Sequence, residues 1–530
     1  RRKFMGKKIV CLIAVLCMAL GFTACSGNTL ANGDKGTDMK GGFVASTNGY
    51  VYFINGVESY TTTYKTGKVT KGALMRVKKD KLAADDAAYE TVVSKLIVSD
   101  DKTAGFYING EYVYYAVPST ENNKKGETKN DQLLFFRTKL DASETSAKIA
   151  DKDFSHDAKF RFIASGDSVY LAVYSTNLYV YDAISGKEVF NTESTTYADK
   201  GNDAKRGSVK EVMFDEDNAA SCIYYTYNPI DVKRWQDDEN ATAESYYDIY
   251  KVTLDGGKAT EKKVVSGVGI VNDETVTGEL IGLTFDLLRH KNGKLYYTET
   301  TLNTAIGSVK YNVLTDADDK TETLTYATTK TTAAFADTVL FYNEGENLVT
   351  IYVDSSLGLV KFDYKKAADT TSGSDFGVIA VSDEKALKTA TLKFISHEGD
   401  VDFLYYTNSD GNYYKINLTA LLKGEKAEAL RINTLSLNTS WYTPEVVNAN
   451  GKYFFLCVYS DSAYKSYVYA IDMAEIANGV KAVKEEKGDD FAESDYYSYN
   501  KKKDEDKVKI GTRLGVMSEK DAETESSTAK

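Results

Sequence analysis

The chain has 530 residues, 42% of them hydrophobic and 27% charged, a balance too apolar for a disordered protein and ample for a large core. Its 40 Tyr, 38 Gly and 22 Phe against 3 Pro, 3 His and 2 Trp favour strands and tight turns over helices. A formal net charge of −12 excludes nucleic acid and anionic lipid as docking partners, because phosphate contacts need clustered Lys and Arg.

The chain opens on a basic region, Arg1, Arg2, Lys3, Lys7 and Lys8, followed by an apolar stretch over residues 9–22 that is short for a membrane span. Residues 1–24 therefore predict a secretory signal peptide. Its end, Phe22-Thr23-Ala24-Cys25, resembles a bacterial lipobox, in which small residues precede a cysteine that is lipidated and becomes the mature N-terminus. Cys25 is the expected lipidation site. Residues 26–40, rich in Gly, Asn, Asp and Ser, read as a flexible tether with a reach of roughly 20 Å. The folded body is thus expected outside the cytoplasm, touching a bacterial membrane only through its lipid anchor. Removing residues 1–24 leaves 60 basic against 77 acidic residues, a net charge of about −17. It also removes Cys11 and Cys17. Cys222 and Cys457 lie in distant aromatic runs, SCIYYTY and FFLCVYS, and are expected to be two buried free thiols rather than a bridge.

From residue 41 onward one motif repeats, a turn followed by an aromatic strand. It occurs at Asn48-Gly49 (YVYFIN), Asn109-Gly110 (EYVYYAV), Ser165-Gly166 (DSVYLAV), Asn218 (AASCIYYTY), Asn292-Gly293 (KLYYTE), Glu344-Gly345 (ENLVTIYV), Gly399 (DVDFLYYTN) and Asn450-Gly451 (KYFFLCV). A short apolar segment precedes each copy, and a second patterned strand follows, such as ALMRVKK from Ala73 or YDIYKVTL from Tyr247. Four short strands per copy, joined by turns whose glycines supply positive φ, make one antiparallel sheet. A fixed repeat of such sheets predicts an all-β fold, a β-propeller over residues 41–487. Eight four-stranded blades are expected, with seven allowed because the sixth copy is irregular. Two β-sandwich domains are the alternative, and no linker interrupts residues 41–485 to favour them. Residues 488–530 are charge-dense and expected to be a disordered tail, in which only residues 507–516 could add a strand.

With strands named A to D from the axis outward, A–B and C–D turns share one face, and B–C and D–A connections share the other. The A–B turns are short. The long connections, 61–72, 119–132, 228–245, 193–208, 266–279 and 433–444, all belong to the second face, and long loops in compact domains are usually functional. That face is the expected binding surface. It carries both tryptophans, Trp235 beside Arg234 and Trp441 beside Tyr442, and a loop Trp can stack on a sugar or anchor a protein partner. These four residues are the candidate binding set.

Catalytic residues are not assigned. His290 and His397 fall in A–B turns and His156 in a D–A connection, so a shared metal is disfavoured and solvated turns explain them. Acidic clusters at Asp215-Glu216-Asp217, at Asp237-Asp238-Glu239 and from Asp316 to Asp319 lack the spacing of an EF-hand loop. They too read as solvated turns; no cofactor is expected, with Ca2+ left open. The sequence has no G-x-S-x-G or H-E-x-x-H motif and no phosphate-cradling loop. Most tyrosines sit within strand motifs and are expected to pack rather than bind.

FLYYTNSDGNYYKINL from Phe403 and GKLYYTETTLNTAIGSVKYNVL from Gly293 resemble the YWTD-type propeller of low-density-lipoprotein-receptor-like proteins and its bacterial surface-lipoprotein relatives. The chain has Tyr-Tyr-Thr where that family has Tyr-Trp-Thr-Asp. The resemblance implies a non-catalytic binding platform. The expectation is therefore a monomeric, lipid-anchored protein that engages a protein or a cell-envelope glycan. An envelope carbohydrate-active enzyme, hydrolase or lyase, using carboxylates at the channel mouth, is the alternative.

Overall fold

The computed structural model describes residues 43–47, 49–59, 70–82, 87–98, 106–118, 132–141, 143–155, 157–193, 208–215, 221–228, 247–268, 280–303, 308–327, 339–345, 347–363, 377–432, 446–449, 453–460, 465–497 and 512–515. Cys25 with the leader and tether, His156, Arg234, Trp235, Trp441 and Tyr442 lie outside them.

The tight turns set the local architecture. Asn292 and Gly293 have φ of +53° and +68°, the pair of positive values that a two-residue hairpin turn needs and that Asn-Gly adopts most readily. They bring Lys291 opposite Lys294, and Ser165 faces Ser168 across Gly166 and Asp167, where Gly166 alone has a positive φ, +57°. Each such hairpin joins strands A and B of one meander.

The meanders follow in chain order. Unit 1 is Val44–Thr47, Tyr50–Ser59, Thr70–Lys78 and Glu90–Val98. Unit 2 is Phe106–Asn109, Tyr112–Pro118, Gln132–Lys139 and Ala147–Lys148. Unit 3 is Lys159–Ser165, Ser168–Tyr174, Leu178–Asp182 and Glu188–Asn191. Unit 4 is Ser208–Phe214, Cys222–Asn228, Asp248–Asp255 and Lys258–Val265. Unit 5 is Leu280–Lys291, Lys294–Asn303, Ser308–Thr315 and Thr321–Ala327. Unit 6 is Leu340–Glu344, Asn347–Asp354, Gly358–Asp363 and Val378–Ser382. Unit 7 is Thr391–Glu398, Val401–Thr407, Tyr413–Asn417 and Leu430–Arg431. Unit 8 is Val446–Ala449, Tyr453–Ser460, Lys465–Asp472 and Thr512–Arg513. Units 3 to 7 are separate four-stranded sheets, whereas units 8, 1 and 2 share one sheet of 13 strands. The joints are Val57 opposite Ser466 between units 1 and 8, and Ile97 opposite Ala116 between units 1 and 2.

Buried side chains run almost without a break along the inner strands, as in Ser168–Tyr174 and Cys222–Asn228, and successive ones point to opposite faces, so each sheet has two faces to bury. The cores meet that need pairwise. Phe135 of unit 2 packs with Phe160 of unit 3, Tyr170 with Ile223 of unit 4, and Tyr224 with Phe285 of unit 5. The series continues through Tyr296 and Phe362, Ile351 and Leu404, and Tyr405 and Phe454. Phe455 and Val468 of unit 8 then share a core with Phe53 and Leu74 of unit 1 and Val113 of unit 2. The last unit packs on the first, so the sheets close a ring. The fold is the expected all-β propeller, with its repeated four-strand unit. The strand tyrosines are packing residues, as expected: Tyr52, Tyr170, Tyr224, Tyr297 and Tyr405 are fully buried, and burial pushes the Tyr114 and Tyr413 hydroxyls up to about 12.

The C-terminal stretch corrects one expectation. After strand C of unit 8 the chain forms helix α2 (Met473–Lys487), following the short helix α1 (Leu418–Leu422) in unit 7, and then helix α3 (Glu493–Tyr497). Asp472 caps α2 by accepting from the amides of Ala474 and Glu475. Met473, Ile476 and Tyr497 are buried against units 7 and 8, and the Tyr497 hydroxyl donates to the Arg431 carbonyl at 2.6 Å. Gly479 leaves room for α3: a Cβ there would stand 2.6 Å from the Tyr496 ring. Residues 488–497 are thus structured rather than disordered, because two aromatic anchors outweigh the surrounding charge. Thr512–Arg513 supplies strand D of unit 8, within the segment expected to be able to add a strand. Leu514 is 1% exposed in the core shared with unit 1. Gly515, at φ +96°, fits against Asn55, whose Oδ1 would lie 2.0 Å from a Cβ. The tail end therefore seals the ring between its last and first units.

No helix among the described residues is long and apolar enough to cross a membrane. Cys222 is a buried free thiol, as expected, and the side chain of Cys457 lies outside the described residues.

Candidate functional site

The seam between units 4 and 5 concentrates the chemistry that can be described. Two turns of unit 5 meet there: the end of strand A, carrying His290, and the C–D turn, carrying Asp316. Unit 4 contributes Cys222 and Tyr224 from strand B and Lys251 from strand C, and Lys251 pairs with Tyr224 across the sheet. Alternation places Cys222 and Tyr224 on one side of their strand, toward unit 5.

Asp316 is the hub. Its carboxylate accepts from the Tyr224 hydroxyl at 2.8 Å and from the Cys222 thiol at 3.5 Å, and His290 Nε2 lies 2.9 Å and 3.1 Å from its two oxygens. The His290 ring stands edge-on to Tyr224 with centroids 5.1 Å apart. Lys251 Nζ donates to the Asp316 carbonyl at 2.5 Å and to Asp319 at 2.9 Å, and Lys262 reaches the other Asp319 oxygen at 2.6 Å. Burial works against the Asp316 charge, but the hydrogen bonds from His290, Tyr224 and Cys222 outweigh it and hold the carboxyl below its ordinary range. Burial, and then the Asp316 charge, push the Cys222 thiol and the Tyr224 hydroxyl far up. The thiol is therefore protonated and no nucleophile.

Two expectations are corrected here. His290 ends a strand and is fully buried, so it is not a solvated turn residue. Nor are Asp316 and Asp319, each 17% exposed; unit 4 folds over the turn and supplies their partners. Asp318 pairs with Lys320 in solvent, so the three carboxylates go to different partners. Asp215 is also buried, bridging to the His290 backbone and accepting from Arg161 through its carbonyl. His397 likewise ends its strand A, yet its side chain is 74% exposed, which agrees with solvation. Its Nδ1 lies 2.6 Å from Asp402, which also accepts from the Tyr342 hydroxyl of unit 6.

Other seams use simpler versions of the same contact. Arg76, opposite Tyr52 in unit 1, donates to the Leu140 carbonyl in the C–D turn of unit 2. Tyr170 of unit 3 accepts from the Gly257 amide in the C–D turn of unit 4. Only at the seam of units 4 and 5 does this contact gather Cys, His and Asp side chains among the described residues. The sequence signal for it was available: A–B and C–D turns share a face, which already places His290 near Asp316. What strand order could not give was the inward aim of both.

The candidate binding set of Arg234, Trp235, Trp441 and Tyr442 lies outside the described residues. The strand ends that flank segments 229–247 and 433–445 are described, and they lie on the face opposite the Asp316 hub.

No family model matches the chain, and no curated protein does. Among solved structures, it aligns with a chain from a study of two prolyl endopeptidases at 13% identity and TM-score 0.37, covering 70% of this chain and 48% of that one. This chain thus spans about half the length of that relative. It aligns with the β-propeller domain of the Trilobed protease from Pyrococcus furiosus at 8% identity and TM-score 0.31, covering 72% and 94%. An oligogalacturonate lyase in complex with manganese aligns at 9% identity and TM-score 0.33, covering 80% and 98%. The propeller assignment rests on the strand pairing and the closed ring of cores.

Proposed function

We propose that this chain is a lipid-anchored, extracytoplasmic binding or scaffold protein that engages a protein or an envelope glycan through the long-loop face of its propeller. The observation that carries this reading is the contrast between the A–B turns on one face and the B–C and D–A connections on the other. On one, strands A and B are joined by two-residue turns, as between Ser165 and Ser168, Lys291 and Lys294, and Glu398 and Val401, while the longer C–D connections of units 7 and 8 on that face hold the packed helices α1, α2 and α3. On the other, the strand ends Asn228 and Asp248, or Arg431 and Val446, are joined by long segments that hold Trp235 and Trp441. A rigid ring presenting long loops on one rim is suited to recognition, since the scaffold fixes where the loops start. The leader, with Cys25 after Phe22-Thr23-Ala24, supports export and anchoring.

The test is capture of fractionated envelope glycans and envelope proteins by the full chain, beside a Trp235→Ala/Trp441→Ala double variant of unchanged fold. The parent is expected to retain one fraction that the variant loses at least tenfold. Equal retention by both removes the site, and no retention by the parent removes the function.

A further inference from the structure

We propose that Cys222, His290 and Asp316 form a binding site for one Zn2+ ion at the seam between units 4 and 5. One sulfur, one nitrogen and one carboxylate oxygen, from three separated stretches of chain, all lie within 4.8 Å of one another. A tetrahedral zinc ion has bonds of about 2.3 Å to sulfur and about 2.0 Å to nitrogen and oxygen, which sets its donors roughly 3.3 to 3.6 Å apart. Cys222 Sγ stands 3.5 Å from Asp316 Oδ2, and His290 Nε2 stands 2.9 Å from the same oxygen. Of the three edges between these donors, the sulfur–oxygen edge is already the right length, the nitrogen–oxygen edge opens with a small movement of the imidazole, and the sulfur–nitrogen edge lies within 4.8 Å.

The donor set selects the ion. A thiolate beside an imidazole disfavours Ca2+ and Mg2+, which take oxygen ligands, and suits Zn2+. Charge is also balanced: Zn2+ with one thiolate and one carboxylate is neutral. The nearby Lys251 has its own counter-ion in Asp319, shared with Lys262. Binding expels the thiol proton of Cys222 to solvent. If the imidazole starts with its proton on Nε2, that proton moves to Nδ1, which has no hydrogen-bond partner among the described residues. The Tyr224 hydroxyl, 2.8 Å from Asp316 Oδ1, is at hand for the fourth position. With Cys222 5% and His290 0% exposed, the ion would clamp unit 4 to unit 5.

The full chain, stripped with chelator, is titrated with Co2+ as a spectroscopic probe and then with Zn2+. The expected result is one tight equivalent of Co2+, with a sulfur-to-metal charge-transfer band and tetrahedral ligand-field bands that one equivalent of Zn2+ abolishes. The band persists in Cys457→Ser and is lost in Cys222→Ser. Asp316→Asn keeps an acceptor oxygen at the hub, so it serves if Cys222→Ser does not fold, and it should weaken Zn2+ at least tenfold. Failure of the native chain to hold an equivalent overturns the site, as does a charge-transfer band in folded Cys222→Ser or unchanged Zn2+ affinity in Asp316→Asn.

Discussion

A chain ending at Lys487 is expected to be less stable than the full chain by about 5 kcal/mol or more, and to self-associate. The truncation removes Tyr497, 5% exposed among Tyr405, Tyr413 and Met473, and Leu514, 1% exposed in the core that joins units 8 and 1. Deleting one buried side chain of that size costs about 2 to 5 kcal/mol, and these two lie in separate cores, so their losses add. The cut also strips Thr512–Arg513 from Lys465–Asp472, leaving an unpaired strand edge where another molecule can dock. Urea unfolding followed by circular dichroism, with light scattering, checks both effects. A chain ending at Gly515 keeps every one of these contacts and is expected to unfold at the full-length midpoint. If the chain ending at Lys487 also did so, the seal between units 8 and 1 would not be what holds the ring closed.

Asp316→Ala is the second large effect. In the metal-free chain this carboxylate accepts from Tyr224 and Cys222 and is bonded to His290, all of them buried. Alanine takes the shared partner from these buried polar groups, and breaking a buried charged network by removing one member costs about 3 to 5 kcal/mol. Asp316→Asn keeps an acceptor and is expected to cost clearly less. The same denaturation measurement decides; an alanine variant within 1 kcal/mol of the parent would mean that water replaces the carboxylate and that the hub is not structural.

The fold was legible because three signals agreed at nearly every repeat: a turn glycine, absent only from the copy at Asn218, an aromatic strand, and constant order. Asn292-Gly293 is the clearest case, a dipeptide whose two positive φ values are what the hairpin requires. Helix α2 was hidden. Its cap Asp472 and its inward residues Met473, Ile476 and Val480 follow helical spacing, but the lysines and glutamates from residue 481 run without a break into the charge-dense tail expected from residue 488. The hub was half legible. Turn parity puts His290 and Asp316 on one face, yet whether a turn side chain faces water or the next unit depends on Tyr224 and Lys251, some 65 to 92 residues away in the chain. Local sequence carries no trace of that pairing. The candidate residues of the long-loop face, Arg234, Trp235, Trp441 and Tyr442, lie outside the described residues.

The proposed function puts binding on one rim of the ring. Hydrogen exchange of the full chain, with and without the fraction it captures, tests this without altering the protein. Protection is predicted in segments 61–69, 119–131, 229–247 and 433–445, with the turns at 166–167, 292–293 and 399–400 unchanged. Protection confined to those turns, on the face that holds His290 and Asp316, would contradict it.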